Sequence, residues 1–198
     1  MHPIPPELAG HPDRLRWNAR YSGDFTPSFT PHALASEALA LPMPDGPVLE
    51  LASGPSGSAL LAAAAGRPVT AVDASDIALG LLASEARRRG IDGLVTLVQA
   101  DLGSWRPADA AFSLVLCTGY WDRAVFGYAA TAVRDGGLLG WEALTEAARR
   151  DRPQLPAEWC VGPGEPASLL PPGFVVLSQH DAGPEPLARR RLLARSRY

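Results

Sequence analysis

Two cysteines in 198 residues cannot supply the dense disulfide framework that staples small secreted domains, and Cys117 and Cys160 form no CxxC pair. The four histidines, His2, His11, His32 and His180, are too scattered to make a zinc-ligand cluster, so no metal is expected. Apolar runs are short as well: the longest, Ala59 to Ala65, falls far below the roughly 20 residues of a membrane-spanning helix. Positive charge is not in excess. A net charge of -3 gives no broad attraction for phosphate backbones, which argues against nucleic acid as a partner. The amino terminus, Met1 to Gly10, is rich in proline and lacks the basic and apolar regions of a secretory signal. No internal repeat is present. The expectation is a soluble, cytoplasmic protein in a reducing compartment, with one compact core.

Apolar β-type runs alternate with helical stretches, which predicts an α/β domain with helices on both faces of a mostly parallel sheet. The strands are read at Val48–Ala52, Pro68–Asp73, Leu94–Ala100, Ala111–Cys117 and Leu138–Leu144. Helical stretches run from the Ser53–Gly57 turn to Gly66, from Ser75 as N-cap to Gly90 as C-cap, and from Arg123 to Val133, with Asp135–Gly137 as a turn. Beyond Glu146 four prolines interrupt regular structure across a lid-like segment. A sixth strand, Phe174–Gln179, and a seventh, Leu187–Arg195, returning antiparallel at the sheet edge, complete a seven-stranded sheet.

Open α/β sheets hold ligands at the carboxyl ends of their strands, and the informative side chains fall there. After the first strand, Ala52, Gly54 and Gly57 let a ligand approach the backbone at a helix N-terminus. With Asp73 about 20 residues on, this loosely satisfies a dinucleotide fingerprint, so an NAD(P)-dependent oxidoreductase is one reading. Three features favour S-adenosylmethionine instead. Glu50 is a poor neighbour for a pyrophosphate and a suitable one for a sulfonium ligand with a free ammonium. Asp101 followed by apolar Leu102 suits an adenine amino group and ring. Little chain remains after Leu144 for a separate substrate domain.

In their order along the chain, Trp17-Asn18-Ala19-Arg20-Tyr21, Glu50-Leu51-Ala52-Ser53-Gly54-Pro55-Ser56-Gly57, Val72-Asp73-Ala74-Ser75, Ala100-Asp101-Leu102, Asp135-Gly136-Gly137 and Gly164-Glu165 resemble the class I S-adenosylmethionine-dependent methyltransferases. The likeness is to small bacterial members of the tellurite-resistance and thiopurine type. The resemblance implies a single Rossmann-like methyltransferase domain, with an N-terminal helical cap over residues 1–44 and a cofactor-binding core over 45–198. It also implies that Glu50 and the turn bearing Ala52, Gly54 and Gly57 hold the methionine part of the cofactor. Asp73 with Ala74 would bond the ribose, and Asp101 with Leu102 the adenine. Cys117 would flank the sulfur, and Arg20 and Tyr21 would cover the cofactor carboxylate. The turn departs from the family pattern: its first and third glycine positions are Ala52 and Ser56, and its common cysteine is Ser53.

Methyl transfer needs alignment and water exclusion more than a metal. The segment after the fourth strand, Thr118-Gly119-Tyr120-Trp121-Asp122-Arg123, shows no committed base and lacks the Asp/Asn-Pro-Pro-Tyr/Phe pattern of nucleic-acid and glutamine N-methyltransferases. Tyr120 and Trp121 are candidate walls of a small-molecule acceptor pocket, and Arg123 a candidate contact for an anionic acceptor or else a surface arginine. A cofactor-binding protein without catalysis remains a further reading. Trp105, Trp141 and Trp159 read as structural, and His180 as a surface residue after the sixth strand. The arginines at 87–89 suit a helix C-terminus, and those at 189–191 read as guards of a sheet edge.

Overall fold

The computed structural model describes residues 4–150, 152–183 and 189–197. The start of the proline-rich amino terminus with His2, and the Leu187 start expected for the last strand, lie outside the described residues. Seven strands, β1 (Val48–Leu51), β2 (Val69–Asp73), β3 (Val95–Gln99), β4 (Phe112–Thr118), β5 (Val133–Leu144), β6 (Phe174–Ala182) and β7 (Arg189–Ser196), form one sheet in the order β3-β2-β1-β4-β5-β7-β6. The first five run parallel, while β7 pairs antiparallel with both β5 and β6. The helices are α1 (Pro12–Tyr21), α2 (Ala33–Ala40), α3 (Gly57–Ala64), α4 (Asp76–Arg89) and α5 (Arg123–Thr131).

The two-residue side-chain period of a strand sorts the core. Leu49, Leu51, Val115, Cys117, Leu139 and Trp141 face α5 and pack with Val125, Phe126 and Ala129. Val48, Ala71, Leu114, Leu116 and Leu138 face the other way, against α2, α3 and α4. By the same alternation Glu50, Asp73 and Glu142 belong to this second face, where each meets a helix start or the segment leading into one. Leu34, Ala35 and Ala38 of α2 are buried in this core, so α2 is part of the sheet's support, and α1 alone of the two N-terminal helices reaches the ligand edge.

Helix ends follow local chemistry. The Ser56 hydroxyl caps α3 by accepting from the Ser58 and Ala59 amides, and Ser75 caps α4 by accepting from Ala78 N at 3.1 Å. Gly90 ends α4 in the left-handed region at φ +68°. Gly90→Ala is therefore expected to cost about 1 kcal/mol, read as a melting temperature lower by roughly 2–4 °C.

Several expectations need correction. The Asp135–Gly137 turn is not separate from the fifth strand: β5 is one element interrupted by a bulge, because Val133 pairs with Phe112 and the next registered pair is Leu138 with Leu114. β6 runs on to Ala182, so His180 lies within the strand, exposed, rather than after it. β7 is interior, between β5 and β6, and the edge is β6. The arginines at 189–191 accordingly guard no edge: Arg190 pairs with Asp181 on β6, and Arg191 with the buried Glu142 on β5. The cations at the end of α4 do sit at a helix C-terminus, where Arg88 and Arg89 both bind Glu85.

Candidate functional site

The turn after β1 begins with Ala52 in the left-handed region at φ +49°, followed by Gly54 at φ +57°. That geometry reverses the chain at the sheet edge, and the Gly54 amide donates to Asp73 Oδ2 at 2.8 Å. Asp73 Oδ1 accepts from the Ser75 amide at 2.8 Å, so the carboxylate bridges the turns after β1 and β2. Burial raises the Asp73 pKa above its ordinary value against these backbone bonds.

Glu50, 2% exposed, accepts the Ser56 hydroxyl at 2.8 and 2.7 Å. Ser56 thus links the buried acid to the start of α3. Burial pushes the Glu50 pKa from 4.5 to about 7, with Ser56 drawing it down and the Asp73 charge adding to the rise. Tyr21, at the end of α1, places its hydroxyl over Gly54, where a Cβ would stand 2.9 Å from it. Burial, and then the Asp73 charge, pushes this phenol up to about 12, so it stays protonated. Arg20 is exposed beside it.

Two voids open along the carboxyl edge of the sheet. The smaller, about 40 Å³, is lined by Ala52, Asp73, Ala74, Ala100, Asp101 and Leu102, and closed by Asp13, Trp17 and Tyr120. The larger, about 550 Å³, lies beyond the ends of β4 and β5, among the 119–124 loop, α1 and the 152–159 segment, with Arg189 of β7. Asp13, Trp17 and Tyr120 line both, so the two are neighbours with shared walls.

The loop after β4 is held from below. Trp141 packs edge-on to Phe126 and Trp121 at centroid distances of 5.2 and 6.1 Å, and its indole N–H donates to Tyr120 O at 3.0 Å. Asp122 caps α5 by accepting from Val125 N at 2.9 Å.

The sequence-derived candidates therefore separate into groups. Ala52, Asp73, Ala74, Asp101 and Leu102 line the smaller void, and Tyr120, Trp121 and Arg123 the larger, with Tyr120 common to both. Glu50, Gly54 and Gly57 lie in and beneath the turn. Arg123 is not free: it makes two 2.8 Å hydrogen bonds to Glu165, the acid of the Gly164-Glu165 pair. Cys117 is fully buried in the apolar core and lines neither void, and burial raises its thiol pKa. Trp159, expected to be structural, is 42% exposed and lines the larger cavity; that expectation is corrected.

Asp13, Arg16, Arg152 and Glu158, which carry no role in the sequence, and Arg189, read there only as an edge guard, all line the larger cavity. Trp17 was noticed only as part of a family-like run. Their positions depend on α1, the proline-spaced segment and β7 converging, for which no local pattern stands.

The donor set suits a cationic nucleoside-bearing cofactor. Carboxylates end β2 and follow β3, with the buried acid of β1 behind them, and the walls between are alanine and leucine. The smaller void, about 40 Å³, has room for about one water and is too small for a nucleoside as it stands. α1 has no buried residue, and the Arg14 and Asn18 bonds to Asp76 hold it to α4. Among the described residues no group of acids, histidines and cysteines could hold a metal, and no helix is long and apolar enough to cross a membrane.

Residues 48–137 match a family model described as a methyltransferase domain. No curated protein matches the chain in sequence. Among solved structures, an S-adenosylmethionine-dependent methyltransferase from Mesorhizobium loti is 18% identical with a TM-score of 0.64, over 82% of this chain and 95% of that one. Magnesium protoporphyrin IX methyltransferase from Synechocystis, with bound SAH, is 17% identical with a TM-score of 0.65, over 91% and 93% of the two chains. TehB from Haemophilus influenzae is 13% identical with a TM-score of 0.66, over 84% of this chain and 62% of that one. At these identities the structures speak for the fold, and the matched segment, β1 through the bulge of β5, carries the turn and the acids at the strand ends. Residues 48–137 thus carry a methyltransferase domain, within a fold shared with S-adenosylmethionine-dependent methyltransferases.

Proposed function

We propose that the protein transfers a methyl group to a small-molecule acceptor held in the cavity beyond β4 and β5. The observation that carries this reading is that Asp13, Trp17 and Tyr120 wall both voids, which sets an acceptor space directly beside a cleft that would take a nucleoside once α1 lifts. S-adenosylmethionine, when bound, supplies a methyl carbon already activated by its sulfonium.

The chain's own residues bind and orient. Glu50 and the Ala52, Gly54 and Gly57 turn take the methionine end, Asp73 with Ala74 the ribose, and Asp101 with Leu102 the adenine. Asp101 Oδ1 accepts from the Gly103 amide at 2.9 Å, which leaves its other oxygen for an exocyclic amine. Tyr21 and Arg20 cover the turn. The faces of Trp17 and Tyr120 stand where a sulfonium is attracted to aromatic rings. Burial, and next the Asp122 charge, keeps the Tyr120 phenol protonated, so it donates a hydrogen bond rather than removing a proton. The acceptor on this reading arrives already nucleophilic, and alignment with exclusion of water by α1 does the catalytic work. The space and the charge balance suit a small molecule in the cytoplasm rather than a nucleic acid.

Thermal melting tests the reading. S-adenosylmethionine or S-adenosylhomocysteine at about a hundred times its Kd stabilises the native state by about 2.7 kcal/mol, a rise of roughly 5–10 °C. NADPH gives no rise. Labelled methyl should then pass to a member of a panel of thiols, phenols, amines and oxyanions; a shift with NADPH and none with the sulfonium cofactor defeats the proposal.

A further inference from the structure

An unpaired donor is buried in the wall of the larger cavity. Trp121 is 4% exposed, lines the cavity, and its indole N–H is buried with no acceptor among the described residues. A buried donor without a partner loses its full hydration, which makes it a position that an incoming oxygen would satisfy. The ring itself is fixed, tilted on Phe126 at 5.6 Å and edge-on to Trp141 at 6.1 Å.

Guanidinium groups stand in the same wall. Arg152 lines the cavity and makes no ion pair among the described residues, and Arg189 reaches Glu142 only at 3.7 Å while remaining 40% exposed. Arg16 lies against the Trp17 and Trp159 rings at 5.5 and 5.1 Å, with no carboxylate partner among the described residues. Arg123 is already neutralised by Glu165. Of the acids in the cavity, Asp122 caps α5 and Asp13 also lines the smaller void, so that with Glu158 three acids stand against Arg16, Arg152 and Arg189.

Aromatic faces with guanidinium groups and a buried indole donor select a flat body carrying an anionic oxygen. Resting on the reading that this cavity receives the methyl acceptor, we propose that the acceptor is a planar, carboxylate-bearing small molecule, its carboxylate taken by the Trp121 N–H together with Arg152 and Arg189. About 550 Å³ is room for a bicyclic acid of this kind.

The test is titration of the protein with 2-naphthoate and with its neutral amide, 2-naphthamide, with and without S-adenosylhomocysteine. The acid is expected to bind about tenfold tighter or better, with the preference shrinking as salt rises. Arg152→Gln should weaken naphthoate several-fold and leave naphthamide unchanged, while, independently, Trp121→Phe should weaken both, naphthoate the more. Arg152 stands on an exposed segment, so its variant folds even if the Trp121 variant does not. Equal affinities, tighter amide binding, or no saturation by either at millimolar concentration overturns the assignment. A naphthoate preference without any response to S-adenosylhomocysteine leaves the anion site standing and removes the cofactor reading. Cofactor binding without that preference does the reverse.

Discussion

Replacing Glu50 with glutamine is expected to raise the melting temperature of the protein alone while weakening its hold on S-adenosylmethionine. The carboxyl is fully buried, and its pKa moves from 4.5 to about 7, chiefly through burial. Between those values the native state binds more protons than the unfolded chain, so stability from this group falls as pH rises. Below about pH 4.5 Glu50 is neutral in both states and the substitution changes nothing through charge. Above pH 7 the native protein carries the whole penalty of a buried anion, about 3 kcal/mol. Glutamine removes that penalty and can still accept the Ser56 hydroxyl. At pH 8 the expected rise is roughly 6–12 °C, fading to none at pH 4.5. The same change removes a charged partner for the cofactor ammonium and should weaken binding by about 10–100-fold. Melting curves across pH, paired with calorimetric titration of the cofactor, read both effects. A variant less stable at pH 8, or one that binds the cofactor as the parent does, contradicts the role given to Glu50.

Gly57→Ala is expected to be among the most destabilising single changes in the sheet's ligand edge. Residues 29–32 cross the start of α3 so closely that an added Cβ would stand 2.6 Å from the Thr30 carbonyl carbon, and nearer still to the Phe29 carbonyl. These are backbone atoms, which cannot rotate aside. The crossing is pinned by the His32 amide, which donates to the buried Ser58 hydroxyl at 3.0 Å. Relief requires the crossing segment or α3 to shift, at about 3 kcal/mol, a melting temperature lower by roughly 6–12 °C. The sequence analysis reserved this glycine for the ligand, but the structure gives it a packing reason as well. Gly90→Ala provides the comparison, since it strains one residue without a collision. If the two variants melt together near the parent, the crossing is looser than described.

What the sequence discloses and what it hides divide on physical lines. Strands buried on both faces read as continuous apolar runs, so β1 through β5 stand within a residue or two of expectation, apart from the bulge that absorbs Asp135–Gly137. Caps are local chemistry, and Ser75 and Gly90 are found where their residue types suggest. The order of strands is not local: nothing in Arg189–Ser196 says that it inserts beside β5, and placing it at the edge turns arginines that pair across the sheet into guards. The acids at the strand ends were legible because each follows an apolar run directly. The larger cavity was legible only at Tyr120, Trp121 and Arg123, which share that advantage. Trp17, Arg152, Trp159 and Arg189 reach it from segments far apart in the chain, where no spacing rule operates. At Cys117 the strand's alternation turns the side chain to the core face, which its position at the strand end does not disclose.

Glu142 gives the acceptor wall a reserve. This nearly inaccessible carboxylate is met by His32 Nε2 at 3.2 Å, by a direct hydrogen bond from Arg191, and more loosely by Arg189. Although burial pushes its pKa up, His32 and Arg191 bring it down to about 2, so it keeps its charge at any pH the protein would meet. Two tight partners suffice to keep that anion compensated. Arg189 is consequently a lendable cation: it can swing from the strand to an incoming anion and back, and the interior that anchors it never has to register the exchange.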